Sequence, residues 1–429
     1  MSTATTSPAA DRTAAPVQRP VKWRDPLLYI FFTLVSAVVF GLLTESGRDT
    51  TFQVATGGDL FTIPNFALPA TATTWLLTAV MAALAGYATW AALSRRKTGW
   101  WVPLLFGMAF ILAFLTWIGA GRATVIPLTS LLAGALALSV PLVFGALSGV
   151  MCERSGVINI AIEGQLLGGA FLAAVVASLL ASPYLGLVAA PVAGALVGVL
   201  LVFFGVKYWV DQIIVGVVLN VLVIGLTSFL YSTVLTENEG WNDRQSLPDL
   251  AIPLLSDIPV LGPVLFDQNL LVYLMYVAIV VLQIFLFRSR WGLRVRAVGE
   301  HPKAADTVGI NVIRTRWVTP VLGGALAGLG GAFFTVGSGL AFGKDMSAGN
   351  GFIALAAMIL GKWNPVGAVA AALLFGFSRS LANVLSTIGG AGIPGEFLLM
   401  LPYLVTIFAV AGFVGRVRAP AAENKPYVK

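Results

Sequence analysis

The chain has 429 residues, of which 58% are hydrophobic and 10% charged, with a mean hydropathy of +0.90. A soluble globule carries about a quarter charged residues, so the composition excludes one and defines an all-α polytopic membrane protein. A lone cysteine, Cys152, and a lone histidine, His301, leave no intrachain disulfide and no His/Cys cluster for zinc or haem, so no metal site is expected.

Residues 1–26 begin with an Ala/Thr/Pro-rich stretch that has no apolar centre, and read as a disordered cytoplasmic tail rather than a cleavable signal peptide. Apolar runs of spanning length begin at Leu27, Thr71, Trp100, Leu128, Ile160, Leu185, Gln212, Leu270, Trp317, Pro365 and Glu396. A twelfth, Asn350 to Gly361, is short. The expectation is 11–12 transmembrane helices: an N-terminal extension over 27–120, a core over 127–416 and a cytoplasmic tail over 417–429. With the N-terminus inside, 21 of the 26 Lys and Arg fall on that same side, including the Arg95-Arg96-Lys97 triplet. The positive-inside rule then places both termini in the cytoplasm of a cell, with the protein in its plasma membrane. That alternation requires the short twelfth segment to cross.

The most informative stretch is Cys152 to Gly169. Glu153 and Arg154, then Asn159, then Glu163-Gly164-Gln165 interrupt two long apolar runs and continue directly into a bilayer-length helix. Irregular backbone at membrane depth costs several kcal/mol, roughly, per unsatisfied group unless it is buried in protein or lines a cavity. The stretch reads as a pathway element; an ordinary cytoplasmic turn with a capped helix start is the other reading. A related break at Lys344 to Gly351, with Asp345 and Asn350, precedes the short helix. Both breaks are followed by small-residue helices, Ala193-Gly194 onward and Ala371-Ala372 onward. Inverted repeats with interrupted helices are a transporter pattern, although small residues also serve close helix packing.

Two loops stand out between spans. Thr236 to Asn269 is acidic and proline-bearing and is expected outside, as a docking loop or a passive connector. Residues 288–316 carry basic flanks around a capped insert, in which Pro302 starts a short helix and Gly309 stops it. Such an insert is a handle for another protein.

No P-loop is present: Gly343-Lys344 is followed by Asp345 and Gly361-Lys362 by Trp363. The chain therefore binds no ATP itself, and with no Ser/His/Asp set inside the membrane it is not read as an enzyme. Intramembrane charges are few, Glu163 and Arg379 foremost, and each costs about 2.5–3.5 kcal/mol at a helix centre. The candidate pathway residues are Asn159, Glu163, Gln165, Asn220, Asn350 and Trp363, with Asn383 beyond them. Amides and aromatic faces suit a neutral, hydroxyl- or ring-bearing solute. Each taken singly is equally a helix-packing hydrogen bond; the set carries the reading.

At these residues the sequence resembles the permease subunits of bacterial ABC importers for simple sugars, nucleosides and branched-chain amino acids. Glu153-Arg-Ser-Gly-Val-Ile-Asn-Ile-Ala-Ile-Glu-Gly-Gln is similar to the nucleoside branch, where the sugar branch has a Gly-Gly-Ile-Asp-Leu-Ser-like sequence. Leu293 to Val312, with Val298-Gly299-Glu300-His301-Pro302 and Gly309-Ile-Asn-Val, resembles the cytoplasmic segment that couples to the ATPase. Gly361-Lys-Trp-Asn-Pro-Val-Gly-Ala and Leu401-Pro-Tyr-Leu resemble the closing blocks. The resemblance runs from about Leu128 to Gly415. It implies a nucleoside importer, with simple-sugar import as the alternative. It also implies a second related permease, an ATPase with two nucleotide domains that holds the ATP, and an extracytoplasmic substrate-binding lipoprotein. An ion-coupled secondary transporter is the remaining alternative; it would need a titratable or cation-binding centre, for which the intramembrane charges are few.

Overall fold

The computed structural model describes residues 23–44, 47–54, 63–122, 124–387, 400 and 418–428. Ten helices among them are long and apolar enough to cross a membrane, which makes the chain a multi-pass all-α membrane protein. The span expected from Glu396 and the block at Leu401 lie outside the described residues.

The described chain divides into two compact units, Met1–Gln53 with Asn65–Ile126, and Val54–Pro64 with Pro127–Lys429. In the first, helices α1 (Arg24–Val35, continuing to Leu42 as a π-turn), α2 (Ala70–Leu93) and α3 (Trp101–Gly119) pack together. An aromatic stack of Phe40, Phe110, Phe114 and Trp117 ties α1 to α3. Because lipid offers no hydrophobic drive between helices, polar links matter more, and Ser36 and Thr78 share a buried 2.8 Å hydrogen bond. A short hairpin, Asp49–Gln53 antiparallel to Phe66–Pro69, joins α1 to α2.

The second unit contains α4 (Leu128–Glu153), α5 (Ile162–Leu179), α6 (Pro183–Val202), α7 (Gln212–Leu230), α8 (Leu270–Arg288), α9 (Arg290–Glu300), α10 (Pro302–Thr307), α11 (Val312–Gly331), α12 (Asn350–Leu360) and α13 (Pro365–Thr387). Its helix starts follow from cap chemistry. Asp211 caps α7, Asn269 caps α8, Ser289 caps α9, the His301 ring caps α10 and Asn311 caps α11, each accepting from a first-turn backbone N–H. Two features were not expected from the sequence. The basic arm before Pro302 is itself a helix, α9, and the loop between α7 and α8 holds a small hairpin, Asp249–Ala251 against Asp267–Asn269.

The internal repeat is visible as reciprocal packing. Each half is a long helix, a break, a second helix and a third: α4, α5, α6 and then α11, α12, α13. The first helix of each half packs on the third of the other, α4 on α13 and α11 on α6. The two first helices run antiparallel, since Phe144 lies at Gly330, Cys152 at Gly323 and Ser155 at Thr319. Small residues make the α6–α11 crossing possible: a side chain at Gly194 would collide with the carbonyl of Gly324.

Candidate functional site

Two stretches of non-helical chain meet at the centre of the second unit. The first, between α4 and α5, has its backbone satisfied from outside itself, as burial demands. Gln212 accepts from Ile158 N at 2.8 Å, and Asn220 accepts from Gly164 N at 2.8 Å while donating to Ile160 O at 2.9 Å. Both partners stand on α7, whose Gly216 brings its backbone against Ile160 and Ala161. Asn159 and Gln165 exchange hydrogen bonds at 2.9 and 3.2 Å, and Asn159 also donates to Ser148 at 3.1 Å. These side chains are almost fully buried, so their amides are spent on one another.

The second stretch, between α11 and α12, turns sharply: Asp345, Ala348 and Gly349 have φ of 51°, 44° and 79°. Left-handed backbone at two non-glycine positions costs on the order of 1–3 kcal/mol each and persists only where its surroundings fix it. Glu163 fixes it. One carboxylate oxygen accepts from Ser347 Oγ at 2.6 Å and Gly349 N at 2.8 Å, and the other from Gly351 N at 2.5 Å. Glu163 lies in the first turn of α5 and also receives amides from the start of α12. One carboxylate thus serves two half-helix N-termini, where the helix dipoles favour negative charge. Gly351 is required there, because any side chain would strike the Glu163 backbone. Beside it, Asn350 donates to Ser347 O at 2.7 Å and accepts from the Arg379 guanidinium on α13.

The far end of α12 is held by the residues that precede the first break. Trp363 donates its indole N–H to Glu153 at 2.5 Å, and Arg154 donates to Trp363 O at 2.8 Å and Lys362 O at 3.4 Å. Lys362 and Trp363 are again left-handed, with φ of 58° and 53°. Eleven helical residues separate the two clamps, about 16 Å at 1.5 Å per residue. Residues 154–161 therefore traverse about half the apolar thickness of a bilayer without helix. For the same reason α12 by itself is shorter than the apolar core of a bilayer.

Of the six candidates, the structure brings Asn159, Glu163, Gln165, Asn220 and Asn350 to the meeting of the breaks and leaves Trp363 at the opposite end of α12. Asn383 is exposed near the end of α13. Ser148, Gln212 and Ser347 belong to the same polar set and were not singled out in the sequence, and Arg379, read there only as an intramembrane charge, joins it through Asn350. The Ser347-Ala-Gly-Asn pattern immediately before a short apolar helix was the available clue.

The insert between α8 and α11 abuts the first break. Val298 is buried, and Gly299 lies so close to Arg154 that a side chain would collide with its carbonyl. His301 Nδ1 caps α10 by accepting from Ala304 N at 3.2 Å, Pro302 is its first residue, and Gly309 follows with φ 82°. Glu300 is exposed and accepts from Ala421 N at 3.4 Å.

Antiparallel repeats whose broken helices meet inside the bundle fit a membrane transport component. Residues 131–410 match the family described as branched-chain amino acid transport system / permease component, and the chain belongs to that family. It is 39% identical over 302 residues to the guanosine ABC transporter permease protein NupQ of Bacillus subtilis, covering 68% of this chain and 95% of the relative. It is 40% identical over 307 residues to the nucleoside ABC transporter permease protein NupC of Lactococcus lactis, covering 70% and 96%. A glucose ABC transporter permease protein of Haloferax volcanii, TsgB13, is 28% identical over 67% of this chain and 78% of its own. The same Bacillus and Lactococcus strains each have a second matching permease, NupP and NupB, at 27% identity. No solved structure matches the chain.

Proposed function

We propose that this chain is one of two permease subunits of an ATP-driven importer that carries nucleosides into the cell. The observation that carries the cargo is the likeness, at 39% and 40% identity over nearly their whole lengths, to a guanosine and a nucleoside permease. The pairing of NupQ with NupP and of NupC with NupB in single organisms supports a heterodimer with a second, related permease. A cytoplasmic ATPase with two nucleotide domains supplies the ATP site that this chain lacks, and an extracytoplasmic lipoprotein delivers the solute. Both termini are cytoplasmic, which places α9, α10 and the ends of α4 and α12 on the ATPase side.

In this reading Val298, Gly299, Glu300, His301, Pro302 and Gly309 form the ATPase handle. Its contact with Arg154 carries the stroke into the first break. Asn159, Gln165 and Asn220 latch that break, and Glu163 ties it to the second near Asn350, so the two breaks move as one. Trp363 holds the other end of α12.

The test is uptake by a strain deleted for this gene and complemented with it, using labelled guanosine, uridine, ribose and glucose. Loss and recovery of the nucleosides alone is expected. Recovery of the sugars alone would replace this cargo with the one in the Haloferax relative's name, and uptake that survives loss of the ATPase but not a protonophore would remove the ABC mechanism.

A further inference from the structure

Residues 418–428 lie beyond the matched family region, which ends at residue 410, yet they are folded onto the coupling insert. The segment makes one turn over Ala421 to Asn424, and Ala422 is 3% exposed. Three separate parts of the chain converge on that residue. Its N–H donates to Gly299 O at the end of α9, at 2.9 Å. Its carbonyl accepts from Arg316 Nη2 of α11 at 3.2 Å. The same carbonyl lies so near Gly156 of the first break that a side chain there would come within 3.1 Å of it.

Further bonds hold the segment on both sides. Arg316, 2% exposed, donates through Nη1 to Lys425 O at 2.7 Å, so two of the segment's carbonyls serve a buried guanidinium. Asn424 accepts from Gln212 N at 3.2 Å and donates to Asp211 at 3.1 Å, which joins it to the start of α7. Tyr427 packs on Val298, Ala305 and Val312, spanning α9, α10 and α11. A buried cation without acceptors is expensive, and this polar tail supplies acceptors to both terminal nitrogens of Arg316, leaving only its Nε without one.

We infer that residues 418–428 form a strap that positions the coupling insert against the first break and the start of α7, so that displacement of α9 and α10 by the ATPase reaches the broken helices. This rests on the coupling role proposed above. α9 touches the break directly where Gly299 lies against the backbone of Arg154 and Gly156; the strap adds a second route through Ala422 and, by Asn424, a third to the helix that latches the break. Ala422 and Asn424 are positioning residues, since neither is placed on the solute path.

The strap is tested in proteoliposomes containing both permeases, the ATPase and the binding protein. Docking is read by a disulfide between Glu300→Cys and Ala421→Cys, with Cys152→Ala removing the native thiol; a high yield in the resting complex is expected, and none would overturn the strap. Coupling is read as nucleoside taken up per ATP hydrolysed. Truncation after Val417 and the milder Asn424→Asp, which sets a carboxylate against Asp211, should each lower that ratio about fivefold or more, the lower range of coupling between linked sites, with basal ATP hydrolysis retained. The exchange Asp211→Asn with Asn424→Asp restores one donor and one acceptor and should recover the ratio, a rescue that general destabilisation would not show. An unchanged ratio in both single variants would overturn the assignment. A purified full-length complex lacking the ATPase would instead overturn the coupling reading, and this one with it.

Discussion

Glu163 is the residue on which the two halves depend most. It accepts three hydrogen bonds, from Ser347 Oγ, Gly349 N and Gly351 N, and bonds to a charged acceptor contribute roughly 1.5–3 kcal/mol each. In Glu163→Gln one oxygen becomes an NH2 group facing a backbone N–H, so a bond is replaced by a repulsion between donors. The expected result is a loss of about 3 kcal/mol or more of stability, seen as a lower melting temperature in detergent and less folded transporter in the membrane. An unaltered melt would show that the second break is held by other means. Asn159→Ala should be milder, about 1–2 kcal/mol, because Gln165 can turn to Ser148. At the strap, burial pushes the Glu423 carboxyl above the ordinary range, its hydrogen bond to Glu153 acting the other way. A raised carboxyl takes up a proton on docking, so docking is fully favoured below the ordinary value of 4.5 and weakens as pH rises through the docked value. The charged groups around the strap are Glu153, Arg154, Asp211, Glu300, Asp306 and Arg316, with its own Arg418 and Lys425. Spin labels at Lys303 and Val428 should separate more at high pH than at low pH, and Glu423→Gln should flatten that dependence. A flat profile in the parent chain would remove Glu423 as its cause.

At the scale of elements, α9 and α10 make one rigid handle because each helix begins on the cap that ends the one before: Ser289 between α8 and α9, His301 between α9 and α10. Gly299 is where that handle meets the first break. A leucine there cannot be accommodated without moving Arg154, so Gly299→Leu should leave insertion and ATPase binding intact while lowering nucleoside uptake per ATP by about tenfold. Proteoliposome uptake and phosphate release measured together check it, and an unchanged ratio would place the transmission elsewhere. Much of this arrangement was legible. The starts of α4, α7, α8 and α13 fell at Leu128, Gln212, Leu270 and Pro365 because polar or proline residues mark them against apolar runs. The helix from Pro302 was readable from its proline and glycine, and the first break from its density of polar residues. α9 was not readable, since four arginines beside a span look like topology alone. The partners of Glu163 were not readable either, because the bonds join residues about 184 positions apart and only folding brings them together. Arg316 was read as one more cytoplasmic cation, whereas its acceptors come from a tail whose own sequence is polar and unremarkable in pattern.

For the whole molecule, the distribution of charge and the placement of the breaks make a joint statement about orientation. Cations gather at Arg95 to Lys97, at Arg154, at Lys207, along residues 288–316 and at Lys362. In the second unit these groups lie at the ends of α4, α6, α8 and α12 and the starts of α5, α7, α11 and α13, which alternate consistently if the N-terminus of the chain is inside. The Thr236 to Asn269 loop, with its hairpin and its acidic residues, is then on the opposite face. The alternation requires that the break before α12 and the 11-residue helix together make a single crossing. A cysteine introduced at Ser7 and another at Ser256, in the Cys152→Ala background, should therefore react with an impermeant maleimide from opposite faces of the membrane: Ser256→Cys in intact cells and Ser7→Cys only after permeabilisation. Labelling of both in intact cells would reverse the placement of the N-terminus. Lys303→Cys provides the third point, since it stands on α10 and should behave as Ser7→Cys does. If it reacted with Ser256→Cys instead, α9 and α10 would face away from any cytoplasmic ATPase, and the coupling role of the insert and of the strap bound to it would fall together.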